Sequence, residues 1–273
     1  RLKLGKFNLE SKEIDLEAMK FHLSEVHLEE TSLNYLQSKA IQSEETDKNS
    51  TLPQIIVDEL RIEKTNLNYT SIPDDMNSEI KLEKFSFHKL NADLNHQNIS
   101  LENIALQDSQ VALEMDSSAE KETSDNKAQA ENQAFSWPEW KVNVAKIEFE
   151  NNKINIFQNE QQPTKGQFST QAIALTNFGL DADNLELSKN EQLGFELNKF
   201  QFKDESGLKL KQFAVNTQLD QNGIALNDIR LKINNSSLSA DLKLDYKTIQ
   251  EFIDSTDKAN FDFTINKVQV DVA

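Results

Sequence analysis

The chain has 273 residues, no cysteine and a net charge of −17, with 29 basic residues against 46 acidic ones. The absence of cysteine excludes disulfides and thiolate-bound zinc, and the acidic balance argues against nucleic acid as a partner, because neutralising phosphates requires clustered Lys and Arg. The apolar fraction of 37% is low for a globular domain and predicts that about half of each strand is polar.

One apolar spacing recurs along the chain, with apolar residues at positions 1, 3, 6 and 8 of an eight-residue segment, as in LKLGKFNL and ISLENIAL. About eleven segments fit it, and one of them carries Thr170 in an apolar slot. In chain order they begin at Leu2, Ile14, Phe21, Ile55, Ile80, Ile99, Val142, Phe168, Phe195, Leu208 and Ile224. Repetition at this scale is typical of an elongated array whose units bury their apolar faces by stacking.

The spacing favours strands over helices. On a helix, the four apolar positions would fall on two opposite sides and leave no single apolar stripe. In a strand, positions 1 and 3 share a face, and the two-residue step turns positions 6 and 8 away unless a β-bulge absorbs one residue. We therefore predict bulged or sharply bent strands with one apolar face, and place bends at Glu102-Asn103, Asn198-Lys199 and Asn227-Asp228.

Residues 14–28 also fit a second pattern, because four of their apolar residues have the 3-4-3 spacing of an amphipathic helix. In that helix Phe21 and Leu28 would face solvent. Strands are therefore the favoured interpretation, with the helix as the alternative.

A longer period is visible as well, because the segment that begins at Pro53 resembles the one that begins at Pro138, which indicates a duplicated unit of about 85–88 residues. His27–Tyr35 (HLEETSLNY) matches Arg61–Tyr69 (RIEKTNLNY), and we predict a strand-turn-strand hairpin at each. Tight turns are expected where polar residues that tolerate turn geometry replace glycine, at Asn34, Asn66, Asp108-Ser109, Asn151-Asn152 and Asn234-Asn235.

These breaks divide the chain. The predicted segments are a partial β-repeat unit at 1–36, a flexible loop at 37–51, a β-repeat unit at 52–115, an acidic disordered loop at 116–136, and further β-repeat units at 137–273 with a short helix near 246–257.

No motif for chemistry is present. His22, His27, His88 and His96 do not occur at a metal-binding spacing, and no catalytic or phosphate-binding motif is found. We therefore expect neither an enzyme nor a metal or other cofactor. Phe outnumbers Tyr and Trp, 16 against 3 and 2. The Phe residues are either ordinary core packing or a lining that contacts acyl chains.

A sheet with one apolar face must cover that face, and a sandwich, a closed barrel or a curled groove would each do so. Ile99–Leu113 (ISLENIALQDSQVAL) and Ile224–Tyr246 (IALNDIRLKINNSSLSADLKLDY), with the restarts at Pro53 and Pro138, resemble the repeats of the AsmA-like superfamily, in particular the TamB-type translocation and assembly proteins of Gram-negative bacteria. The resemblance covers nearly the whole chain apart from the loops.

This resemblance implies a mainly β fold, an elongated, twisted and curled sheet of short bulged strands that forms an open or taco-like groove, with one or two short helices. It implies a periplasmic protein that shields and conducts phospholipid towards the outer membrane or supports outer-membrane protein assembly. Phospholipid acyl chains and an outer-membrane β-barrel assembly protein would be its partners. The inner-membrane anchor would lie outside these residues, which contain no apolar run near the roughly 18 needed to span a bilayer.

The apolar slots are the candidate site. The predicted groove lining consists of Leu101, Ile104, Leu106, Val142, Val144, Ile147, Phe149, Phe195, Phe200, Phe202, Phe213, Ile229 and Leu231. The alternative function is a structural or protein-binding β-solenoid that carries no lipid and pairs its open sheet edge with a client strand.

Overall fold

The chain forms one mixed β-sheet, described by a computed structural model of residues 1–40, 51–116 and 135–271. Its strands are β1 (Leu2–Lys3), β2 (Lys6–Asp15), β3 (Lys20–Glu29), β4 (Ser32–Gln37), β5 (Gln54–Ser71), β6 (Met76–Asp93), β7 (Asn98–Gln107), β8 (Gln110–Met115), β9 (Lys141–Gln158), β10 (Ala172–Ser188), β11 (Gln192–Asp204), β12 (Lys209–Asp220), β13 (Gly223–Ile233), β14 (Ser236–Asp245) and β15 (Asn260–Gln269). One helix, α1 (Ile249–Asp254), and a 3-10 turn (Thr256–Lys258) precede β15. The predicted mainly β fold with one or two short helices is confirmed.

Three pairs of strands lie end to end, so that the fifteen strands of the described residues fill twelve positions across the sheet. β1 and β2 lie beside β4 and β3, while β3 with β4 runs parallel to β5, and β7 with β8 runs parallel to β9. All other neighbours are antiparallel, from β5 to β7 and from β9 to β15. At about 4.8 Å per position, the sheet is roughly 50 Å wide across its strands.

The strands bend where the sequence predicts an extra residue. Between β5 and β6 the pairing skips Asp58 and Lys89, and Lys89 has a left-handed φ of 52°. His88 and Lys89 are consecutive, yet both line one depression with Asp58, so two successive side chains share the polar side of the sheet. One extra residue in the bend therefore returns the following apolar residues to the original face.

The three predicted bends are confirmed. The pairing of β7 with β9 skips Glu102, the register of β11 against β12 shifts between Leu197 and Phe200, and the register of β13 against β14 shifts between Leu226 and Ile229.

A second bend lies further along the same strands and carries buried polar residues. Thr65, Ser109 and Asn152 are at most 2% exposed. The hydroxyls of Thr65 and Ser109 each donate to the carbonyl oxygen two residues earlier, at 3.0 and 2.9 Å, and Asn152 Nδ2 donates to the carbonyl oxygen of Leu106 at 3.0 Å. These side chains thus bond to the backbone at the bend, and at Glu63 the hydroxyl shares the carbonyl oxygen with the N–H of Glu30 at 3.2 Å.

The predicted hairpins at His27–Tyr35 and Arg61–Tyr69 are wrong. The second match lies inside the continuous strand β5, and β3 and β4 both run parallel to β5, so the chain keeps its direction through the first match. The Thr in each match marks the second bend and not a reversal. Asn34 and Asn66 accordingly lie in strands, whereas Asp108, Asn151 and Asn234 do adopt left-handed φ values of 51°, 53° and 48°.

Residues 14–28 are strand and turn, as the favoured interpretation has it, with β2 ending at Asp15 and β3 beginning at Lys20. The segment that begins at Ile14 therefore crosses a turn. Residues 41–50 of the predicted flexible loop and 117–134 of the predicted acidic loop lie outside the described residues. Each of these connections precedes a strand, β5 or β9, that runs parallel to the one before it.

Candidate functional site

The apolar residues of the strands are register partners from one edge of the sheet to the other. Side chains that face each other across paired strands lie on the same side of a sheet. One row crosses all twelve positions without a polar residue, and we call it the central row: Phe7, Leu28, Ile62, Phe85, Leu106, Phe149, Leu180, Phe200, Phe213, Leu231, Leu238 and Val268.

A second apolar row runs parallel to the first, near the end of the strands that carries α1. We call it the rim row, and it contains Ile14, Phe21, Ile55, Ala92, Ile99, Val142, Leu187, Leu193, Leu219, Ile224, Leu244 and Phe261. The first bend lies between the two rows, and its extra residue puts them on one face. The two rows therefore belong to one continuous apolar surface.

The thirteen predicted lining residues all lie on this apolar face. Five of them belong to the central row, and Val142 belongs to the rim row. The other seven lie between the rows or beyond them, and each faces an apolar residue or Thr217 on the neighbouring strand. The pairs are Leu101 with Val144, Ile104 with Ile147, Phe195 with Thr217, Phe202 with Leu210 and Ile229 with Ala240. The structure therefore brings the predicted residues together.

The apolar face is only partly covered. Val144, at 9% exposure, is buried, and the other twelve predicted lining residues are half-buried. Within the described residues each strand packs on its hydrogen-bonded neighbours, and no second sheet lies over either face. Each apolar side chain is thus shielded from solvent only by its neighbours on the same face, and its surface that points away from the sheet is exposed.

Phenylalanine shows the same pattern. All 16 Phe residues lie in the described part of the chain, and none is buried. Rings on neighbouring strands still touch, as Phe178 and Phe200 do with their centroids 5.6 Å apart. In a packed core some of these large side chains would be buried completely. Every Phe side chain therefore keeps part of its surface exposed.

Several lining residues are missing from the sequence prediction. Leu180, Ala182, Leu185 and Leu187 of β10 have the repeat spacing, but an alanine fills one slot and hides the match. Beyond the second bend, a further apolar line consists of Leu2, Leu33, Leu67, Ile80, Val111, Ile154 and Leu175. In the sequence, this line could have been found from the Thr, Ser or Asn of the second bend. That residue comes three positions after the last apolar position of a repeat segment, and a further apolar residue follows it.

The opposite face is polar and rich in ion pairs. Lys146 Nζ lies 3.5 Å from a carboxylate oxygen of both Asp181 and Asp183. Lys12 donates to Asp58 at 2.6 Å, and this hydrogen bond, followed by one with His22, lowers the pKa of the Asp58 carboxyl below its usual value. A hydrogen bond from the His96 side chain lowers the pKa of Asp93 in the same way. The lowered pKa keeps both carboxylates ionised at neutral pH.

Comparison with protein-family models, with curated proteins and with solved structures returned no match. Among the described residues, no helix combines the length and the apolar character needed to cross a bilayer.

Proposed function

We propose that this chain is a segment of a lipid-conducting groove, in which the apolar face shields the acyl chains of phospholipids from water. The central row carries this proposal, because it offers one uninterrupted apolar line across the sheet, and within the described residues no second layer packs over it. Acyl chains that lie along this row would remove water both from their own surface and from the exposed surface of each lining residue.

The energetics favour such a ligand. Each methylene group that leaves water contributes about 0.8 kcal/mol, so a long acyl chain gains more from the face than any single side chain does. The contact is non-directional, so the chain can slide from one strand to the next without breaking a specific bond. The polar opposite face and the charge of −17 keep the assembly soluble.

The AsmA-like resemblance supplies the rest of the proposal. The chain would be part of a periplasmic body that is anchored in the inner membrane by another segment, and it would carry phospholipid towards the outer membrane or assist a β-barrel assembly protein there. The support is the repeat spacing, together with the single sheet and its one apolar face.

Lipid occupancy is the first test. Native mass spectrometry of the purified full chain should detect bound phospholipid, which organic extraction should remove. A lipid-free protein that also fails to take up phospholipid from vesicles would refute the proposal.

A pair of substitutions in β13 tests the face itself. Ile229 lies on the apolar face opposite Ala240, and Arg230 is exposed and is its immediate neighbour. Ile229→Glu should abolish transfer of a fluorescent phospholipid between vesicles, because a carboxylate in the acyl path costs more than the apolar contacts return. Arg230→Glu, the matched control, should leave transfer intact. Equal loss in both variants, with circular dichroism unchanged, would contradict a role for the face.

The second candidate function is a protein-binding scaffold, and the edge strand β15 favours it. Every residue of β15 is exposed, with Phe261 at 64% and Ile265 at 54%, and among the described residues no strand pairs with its outer edge, which could accept another extended strand. Cross-links from β15 to a bound client strand in lipid-free protein would favour this function over lipid conduction.

A further inference from the structure

The parallel pairing of β3 with β5 brings His27, Glu29 and Glu63 together on the polar face. Each residue offers one ligand atom, and the three atoms lie within 4.8 Å of one another. His27 is 8% exposed, and its Nε2 atom is buried without a hydrogen-bond partner. The nearest carboxylate oxygen, Glu63 Oε2, lies 3.4 Å from that nitrogen but is not aligned for a hydrogen bond.

An unpartnered buried imidazole nitrogen is costly unless something binds it. The sequence alone does not reveal the cluster, because the spacing from residue 29 to residue 63 follows no metal motif and the parallel register creates the contact.

The duplicated unit shows that the fold does not require a histidine here. At the second parallel junction, β7 pairs with β9 in the same way as β3 pairs with β5. His27 pairs with Arg61 and Glu29 with Glu63, whereas the corresponding pairs are Ala105 with Glu148 and Gln107 with Glu150. The second junction forms with Ala in place of His27 and Gln in place of Glu29. The first junction therefore carries residues of types that can bind metal and that its architecture does not need.

We propose that His27, Glu29 and Glu63 bind a divalent transition-metal ion of the zinc type and that the ion cross-links β3 to β5. One imidazole nitrogen and two carboxylate oxygens are ligands that zinc accepts, and a water molecule would complete four-coordination. Magnesium and calcium prefer all-oxygen sites and are disfavoured by the imidazole.

One cation already competes for this position. Lys64 Nζ lies 3.4 Å from Glu29 Oε1 and 3.8 Å from Glu30 Oε1, and its side chain is 53% exposed. An arriving ion would displace this amine from Glu29, and Glu30 would retain it. Arg61 is paired with Glu25 at 2.8 Å and with Glu59 at 3.4 Å, and its attraction to Glu63 is weaker than its hydrogen bond to Glu25.

The test uses the full chain after treatment with a chelator. Isothermal titration with zinc chloride should show one site per chain, and the bound ion should raise the unfolding temperature, which magnesium should not do. Replacement of zinc by cobalt(II) should give the visible absorption of a four-coordinate ion.

His27→Ala reproduces the residue of the second junction and should weaken zinc binding about tenfold or more. Glu150→Gln, at the position that corresponds to Glu63, should leave zinc binding unchanged and controls for adsorption to an acidic surface. Circular dichroism of His27→Ala in chelator checks that it folds. Equal zinc affinity in wild type and His27→Ala, or no zinc binding by wild type, would overturn the proposal.

Discussion

Ser109 holds the second bend together through two hydrogen bonds. Its hydroxyl donates to the carbonyl oxygen of Gln107 at 2.9 Å and accepts the N–H of Glu83 at 3.0 Å. Ser109→Ala removes both bonds and leaves two part-buried backbone groups without these partners, so we expect the free energy of unfolding to fall by about 1–2 kcal/mol. Urea denaturation measures this change. Ser100→Ala, at a half-buried position of β7, is the control and should change stability by much less.

The pair formed by Lys12 and Asp58 makes a prediction about pH. The pKa of Asp58 is lowered in the folded chain, first by the hydrogen bond from Lys12. A lowered folded pKa gives stability that is present above the unfolded pKa, near 4, and is lost as pH falls through the folded value. Lys12→Gln should therefore move the NMR titration midpoint of Asp58 upwards. An unchanged midpoint would show that the lysine does not hold this carboxylate.

Bends are the elements that keep the apolar face together, and β13 allows a direct test. Asp228 is its extra residue, with a left-handed φ of 54°. Deleting Asp228 restores simple alternation and keeps Ile229 and Leu231 on the apolar face, so the chain should still fold. Deleting Arg230 instead moves Lys232 onto the apolar face and Leu231 onto the polar face.

The Arg230 deletion should cost several times more stability than the Asp228 deletion, because it exposes the half-buried Leu231 and brings the charge of Lys232 onto the apolar face. Urea denaturation and limited proteolysis measure the difference. Equal losses would mean that the extra residue does not restore the facing of β13.

The bends could be predicted because a two-residue step between apolar pairs has only one solution that keeps a single face. The direction of the chain after a bend could not. In His27–Tyr35 the sequence Glu-Glu-Thr fits a hairpin turn and an in-line bend equally well, and the long-range pairing with β5 decides between them. Ala182 was missed for a related reason, since a small residue fills an apolar slot only because the neighbouring strands supply the contacts.

The sequence could predict which residues share the apolar face but not how these residues align across the strands. The thirteen residues predicted from the spacing share one face, yet the spacing could not show that register aligns them into rows, because register depends on pairing between distant segments. The cluster of His27, Glu29 and Glu63 was hidden for the same reason. At the scale of the whole molecule, the alignment creates a property that no single strand has, namely a continuous apolar line from Phe7 to Val268.

If the proposed function holds, a charge placed in that line can distinguish conduction of lipid from storage of lipid. β10 is the seventh of the twelve positions in the sheet, and Leu180 stands on the central row between Phe149 and Phe200. Leu180→Asp places one charge near the middle of the line and leaves several strands of apolar face on either side. If lipids move along the face, transfer between vesicles should stop while native mass spectrometry still detects bound phospholipid.

Asn184→Asp adds the same charge at an exposed position of the same strand and is the matched control, which should transfer lipid normally. If the face only stores lipid, transfer by Leu180→Asp should fall no further than its lipid content does. A complete block of transfer with substantial lipid still bound requires that the lipids pass the midpoint of the sheet, and only an uninterrupted face makes that possible.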